Sequence, residues 1–68
     1  MKITVNGEHM EFSDGLTVSA LMDELGILEE RVAVELNLNI LPKRAFAETV
    51  LMDGDRIEVV SFVGGGES

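Results

Sequence analysis

The chain opens with a period of two: Ile3 and Val5 fall on one face, and Lys2, Thr4 and Asn6 on the other. That alternation predicts a half-buried strand over Lys2–Asn6. Asn6-Gly7 follows, and both residue types accept the positive φ of a two-residue hairpin turn. The returning strand, Glu8–Phe12, sends Met10 and Phe12 inward and His9 and Glu11 outward.

After the loop Ser13-Asp14-Gly15 the period changes. Val18, Leu21, Met22 and Leu25 sit at i, i+3, i+4 and i+7, the apolar face of a helix. Thr17 is a suitable N-cap, Leu16 can staple onto Leu21, and Gly26 stands where a left-handed C-cap is wanted. The spacing therefore predicts a helix over Val18–Leu25, lying across the apolar side of the hairpin.

Glu29-Glu30 reads as a brief solvated stretch. Alternation returns in Val32, Val34 and Leu36, a third strand, and Asn37-Leu38-Asn39 turns the chain. Ile40-Leu41 reads as a short edge segment ended by Pro42. Ala45–Glu48 suits a helical turn anchored by Phe46, and Asp53-Gly54-Asp55 is a turn before a last strand. That strand runs from Asp55 or Arg56 to Val63, with Ile57, Val59 and Ser61 on one face and Val60 and Phe62 on the other. Gly64, Gly65 and Gly66 follow it, and glycine lends itself to a thin, flexible arm.

A hairpin, a helix, a strand, an irregular crossing and a final strand predict an α+β fold of the β-grasp (ubiquitin-like) kind. One main helix packs across a mixed sheet, and the last strand lies beside the first, in parallel, as a long crossover permits. The expected organisation is a β-grasp domain over residues 1–63 and a glycine-rich tail over 64–68.

Composition narrows the function. Sixty-eight residues make one small domain, and 46% apolar residues suffice for its core. With no cysteine and one histidine, neither a disulfide nor a thiolate or multi-histidine metal site is expected. The net charge of −8 argues against nucleic acid and for a basic protein partner. No secretion signal or membrane-length apolar run is seen, and lack of cysteine suits the cytoplasm.

In order and spacing, several segments resemble the ThiS-type sulfur carriers of thiamine biosynthesis. These are Ile3-x-Val5-Asn6-Gly7, Leu16-Thr17-Val18, Val32-Ala33-Val34-Glu35-Leu36-Asn37, Ile40-Leu41-Pro42-Lys43-Arg44, Leu51-x-Asp53-Gly54-Asp55-x-Ile57-Glu58-Val59 and the glycines. The resemblance covers nearly the whole chain. It implies a substrate of other enzymes rather than a catalyst, with no cofactor bound by the chain itself. A ThiF-like adenylating enzyme would use ATP and Mg²⁺ to turn the terminal glycine carboxylate into an acyl-adenylate. Sulfur from a persulfide donor would displace AMP, and the thiocarboxylate would serve a ThiG-like thiazole synthase. Gly66 is then the sulfur-bearing residue, with Gly65 and Gly64 as its arm.

The chain departs from this family at one point: members usually end at Gly-Gly, whereas Glu67 and Ser68 follow Gly66 here. The expectation is a precursor trimmed by a processing peptidase. Related carriers serve molybdopterin or cysteine biosynthesis, but molybdopterin carriers are usually longer. A ubiquitin-like interaction module with an inactive tail is the alternative from another class; the Glu67-Ser68 extension favours it and the glycine arm opposes it. An enzyme finds least support, since no nucleophile–base or ligand cluster is visible.

Other residues have plainer readings. Asp53 and Asp55 could be an acid–base or metal pair, but an aspartate–glycine turn explains them better. His9 reads as a surface residue, and Lys43-Arg44 as part of a solvated loop. Val60 and Phe62 are candidate partner-docking residues if the sheet's second face is open. They are buried instead if the segment from Asn37 to Met52 folds over them.

Overall fold

The computed structural model describes residues 1–62; the expectations for Val63 and for the tail from Gly64 to Ser68 lie outside the described residues. Strands β1 (Lys2–Val5) and β2 (Glu8–Glu11) form the opening hairpin, in register from Lys2↔Glu11 to Val5↔Glu8. Asn6 and Gly7 turn it with φ of 50° and 85°, so β1 stops one residue short of the expected Asn6. Phe12 lies just past β2, yet its N–H donates to the Met1 carbonyl and extends the ladder.

Helix α1 spans Val18–Leu25, as its spacing predicts. The Thr17 hydroxyl accepts from the Ala20 N–H at 3.1 Å, which satisfies one of the first-turn donors. At the other end Gly26 is left-handed, its N–H reaching the Asp23 carbonyl while that of Ile27 reaches Met22. Val18, Leu21 and Met22 are fully buried, and Leu16 packs against the cluster that contains Leu21.

Strands β3 (Val32–Leu36), β4 (Asn39–Leu41) and β5 (Arg56–Ser61) complete a sheet of order β2-β1-β5-β3-β4. β5 is central and runs parallel to β1, while every other neighbouring pair is antiparallel. Ile3 and Val5, Val32 and Val34, and Ile57 point from the strands into one core beneath α1. Phe46 and Leu51, from the crossing between β4 and β5, close that core from the side. The mixed sheet with one helix across it is the expected β-grasp arrangement.

Three local expectations change. Glu29-Glu30 is unburied, as expected, but it also opens a 3-10 turn, Glu29–Arg31, closed by Arg31 N–H on the Leu28 carbonyl. The helical turn expected at Ala45–Glu48 starts earlier, as a 3-10 turn over Lys43–Ala45. Pro42 sets this start: its φ of −68° suits the position, and its carbonyl accepts from the Ala45 N–H. The last strand starts at Arg56 and ends at Ser61.

Candidate functional site

The site is built around the end of β5, because in the sequence the glycines follow that strand after only Phe62 and Val63. β5 alternates as expected. Ile57 is buried and Val59 packs on the core, whereas Val60 and Phe62 are 58% and 56% exposed. The segment from Asn37 to Met52 leaves both more than half exposed, so the reading that buried them is set aside. It contributes instead to the core edge through Phe46 and Leu51.

Register places further residues on the same face. Ala33 lies opposite Val60, and Glu35 lies opposite both Glu58 and Ile40. Residues directly opposite in a sheet share a face, so Ile40, 77% exposed, stands on the face that carries Val60. Ile40 was not singled out from the sequence. Its parity relative to Leu41, which packs inward, was the signal that could have found it. Glu35 and Glu58, opposite each other on the adjacent strands β3 and β5, form no ion pair among the described residues and put two carboxylates within this face.

Lys43 is exposed, as a solvated loop predicts, but it also makes specific contacts. Its ammonium donates to the Val32 carbonyl at 2.9 Å and lies 5.2 Å from the centroid of the Phe62 ring. A cation over an aromatic face is attracted by the ring quadrupole. The Phe62 N–H donates to the Arg31 carbonyl at 2.9 Å, so the last described residue is held by both backbone and side chain. Arg44 is exposed, as expected.

The paired aspartates do turn work. Asp53 Oδ1 accepts from the Lys2 N–H at 2.7 Å, and Asp55 Oδ2 accepts from the Met52 N–H at 2.8 Å. Gly54, at φ 91°, sends its N–H to the Lys2 carbonyl. Both carboxylates are spent on the loop that delivers β5. His9 is exposed and its Nδ1 lies 3.2 Å from the Thr4 hydroxyl. Among the described residues, no group of three His, Asp or Glu side chains is placed to hold a metal ion. No helix among them is long and apolar enough to cross a membrane.

The arrangement brings together a strand end, an exposed face that carries Val60 and Ile40, and a Phe62 held by its backbone and its ring. Gly64, Gly65 and Gly66 lie outside the described residues.

Comparison with known proteins places this geometry. The ThiS family model matches residues 3–66. A thiazole synthase of Paramagnetospirillum magneticum is 50% identical over 66 residues, 97% of this chain. The chain spans only about a fifth of that relative, the match covering 20% of its length. The sulfur carrier protein ThiS of Escherichia coli K12 is 30% identical over 66 residues, covering 97% of this chain and 100% of the relative. The crystal structure of the thiamine biosynthesis protein ThiS from Geobacter metallireducens superposes with a TM-score of 0.84 at 39% identity. That superposition covers 97% of this chain and 100% of the other, so fold and sequence agree along the full domain. The chain belongs to the ThiS family.

Proposed function

We propose that this chain is a sulfur carrier for thiazole formation in thiamine biosynthesis, a substrate that other enzymes load and unload. The observation that carries the reading is where the family match stops: it runs to Gly66, the last of the three glycines. The carboxylate of Gly66 attacks the α-phosphate of ATP, held with Mg²⁺ in a ThiF-like adenylating enzyme, and pyrophosphate leaves. A persulfide sulfur then displaces AMP from the acyl-adenylate, and a thiol reductant splits the resulting S–S bond to leave a thiocarboxylate. A carboxylate is unreactive until its oxygen becomes a good leaving group, and the intermediate must be kept from water inside the partner. Gly64 and Gly65 let the arm enter such a closed site without steric conflict.

The acceptor of the sulfur is a thiazole synthase. The relatives support this, because two proteins named thiazole synthase contain a segment like this chain. Val60 and Phe62 dock the carrier on its adenylating partner, while the arm reaches past them. Glu67 and Ser68 follow Gly66, so its carbonyl is in a peptide bond and cannot be adenylated. A processing peptidase must therefore cut after Gly66 before loading, and all these steps belong to the cytoplasm.

Intact-mass measurement of the protein isolated from its own cells under thiamine starvation tests the reading. The expected species ends at Gly66 and carries sulfur in place of one carboxylate oxygen. A population that stays uncut and unmodified under starvation refutes it.

A further inference from the structure

The strand that delivers the arm is held unequally on its two sides. Toward β3 it is paired by backbone as far as Ser61, and Phe62 adds one more bond to Arg31. Toward β1 the backbone pairing is short, only Thr4↔Arg56 and Val5↔Ile57. β1 then leaves the sheet, because Asn6 adopts a φ of 50° to turn the hairpin. Past that point one side chain takes over. Asn6 Oδ1 accepts from the Val59 N–H at 2.7 Å, and Asn6 Nδ2 donates to the Val59 carbonyl at 3.3 Å.

A single carboxamide thus occupies both backbone groups of a residue 53 positions away. The turn alone does not require this, since glycine adopts positive φ at least as readily as asparagine. We propose that Asn6 is a positioning residue for the loading reaction: it fixes the end of β5, the strand from which the chain continues into the glycines. The proposal rests on the carrier reading above and deepens it. Acyl transfer demands that the reacting carboxylate arrive in a near-attack geometry, and a fixed strand end narrows the space that the residues after it must search. Docking uses the exposed face around Val60 and Phe62, which the pairing to β3 through Ser61 and the Phe62 bond to Arg31 hold in place without Asn6. Loss of the clamp should therefore lower kcat while leaving KM nearly unchanged.

Two variants separate the clamp from the turn. Asn6→Gly keeps the backbone conformation and removes both bonds. Asn6→Asp keeps an acceptor for the Val59 N–H and loses the donor. In the full chain, hydrogen exchange read by NMR should show the Val59 amide exchanging about tenfold faster or more in Asn6→Gly. The Val34 amide should not change, and Asn6→Asp should keep most of the Val59 protection. Next, chains cut after Gly66 are assayed with the ThiF-like enzyme of the same organism and ATP. Asn6→Gly should lose roughly ten- to a hundredfold in kcat with KM within about twofold, and Asn6→Asp should recover most of the loss.

Thr17→Ala, which removes the α1 cap, serves as a control destabilised away from the end of β5 and should keep its kcat. Unchanged Val59 exchange in Asn6→Gly overturns the proposal. So does a kcat loss matched by a KM rise, or one shared by Thr17→Ala. If the wild-type chain cut after Gly66 is not adenylated at all, the carrier reading falls instead. The exchange comparison then decides by itself whether Asn6 fixes the strand end.

Discussion

Val60→Asp puts the docking face to its sharpest test, because the structure gives different magnitudes for folding and for binding. Val60 is 58% exposed and faces Ala33 across the sheet, outside the core. Replacing an exposed β-branched residue in a strand with aspartate costs about 1 kcal/mol in folding. The neighbouring carboxylate of Glu58, two residues away on the same face, adds a few tenths by like-charge repulsion. A domain of this size should then melt roughly 4–8 °C lower for each kcal/mol lost.

Binding is affected more. Full burial of a valine side chain is worth about 1.5–3 kcal/mol, and more than half of that area is still open for a partner to cover. The substitution forfeits that gain of roughly 1–2 kcal/mol and sets a carboxylate against an apolar contact, which adds at least about 2 kcal/mol of desolvation. The sum is roughly 3 kcal/mol or more, a loss of about a hundredfold in affinity. Calorimetric titration against the adenylating enzyme measures the binding, and far-UV circular dichroism the melting, since the chain has no Trp or Tyr. Leu28→Asp, at a comparable 57% exposure after α1, should bind like wild type. A Kd within about threefold of wild type for folded Val60→Asp, or an equal loss for Leu28→Asp, would show that this face does not dock the partner.

Three further outcomes are expected. Leu21→Ala, at the centre of the core, should lose about 2–5 kcal/mol in urea unfolding, and a near-native midpoint would mean the site collapses without a cavity. Lys43→Met keeps an unbranched apolar stem but leaves the Val32 carbonyl without its donor and the Phe62 ring without its cation. It should lose about 1–2 kcal/mol in the same titration, and a change within error would show that the ammonium is held only loosely. The chain cut after Gly66 should be adenylated in an ATP-dependent assay while the chain extending through Ser68 is not; equal reaction of both would sink the requirement for cleavage.

What the sequence made legible is what depends on near neighbours. Thr17, Leu21 and Gly26 belong to one helix, and the signals for its start, face and end lie within ten residues of each other. Its limits came out as predicted. The strands were legible from alternation, though Asn6 and Phe12 fall just outside β1 and β2. The exposure of Val60 and Phe62 was not legible. It depends on whether a distant segment covers them, and alternation gives only their parity. The 3-10 turn at Glu29 was missed because its closing bond, from Arg31 to Leu28, leaves no hydrophobic period.

The least legible feature is also the one that shapes the strand end, and it follows a rule in register. Extending the β3–β4 pairing beyond Val34↔Leu41 would set residue 43 opposite residue 32. The backbone has already turned away after Pro42, and the Lys43 ammonium reaches back to the Val32 carbonyl in its place. Extending β3–β5 beyond Leu36↔Ile57 would set residue 37 opposite residue 56. There Asn37 is turning the hairpin at φ 51°, and while its N–H still donates to the Arg56 carbonyl, its Oδ1 accepts from the Arg56 N–H. Extending β1–β5 beyond Val5↔Ile57 would bring Gly7 level with Val59, and Asn6 supplies the missing contacts from its side chain. Each time, a strand stops before its neighbour's hydrogen-bonding groups run out, and a nearby polar side chain finishes the ladder. Asparagine suits the two turns because it both tolerates positive φ and carries a donor and an acceptor on one short stem. A small sheet can thus keep short neighbouring strands and still hold the backbone groups of a longer central one.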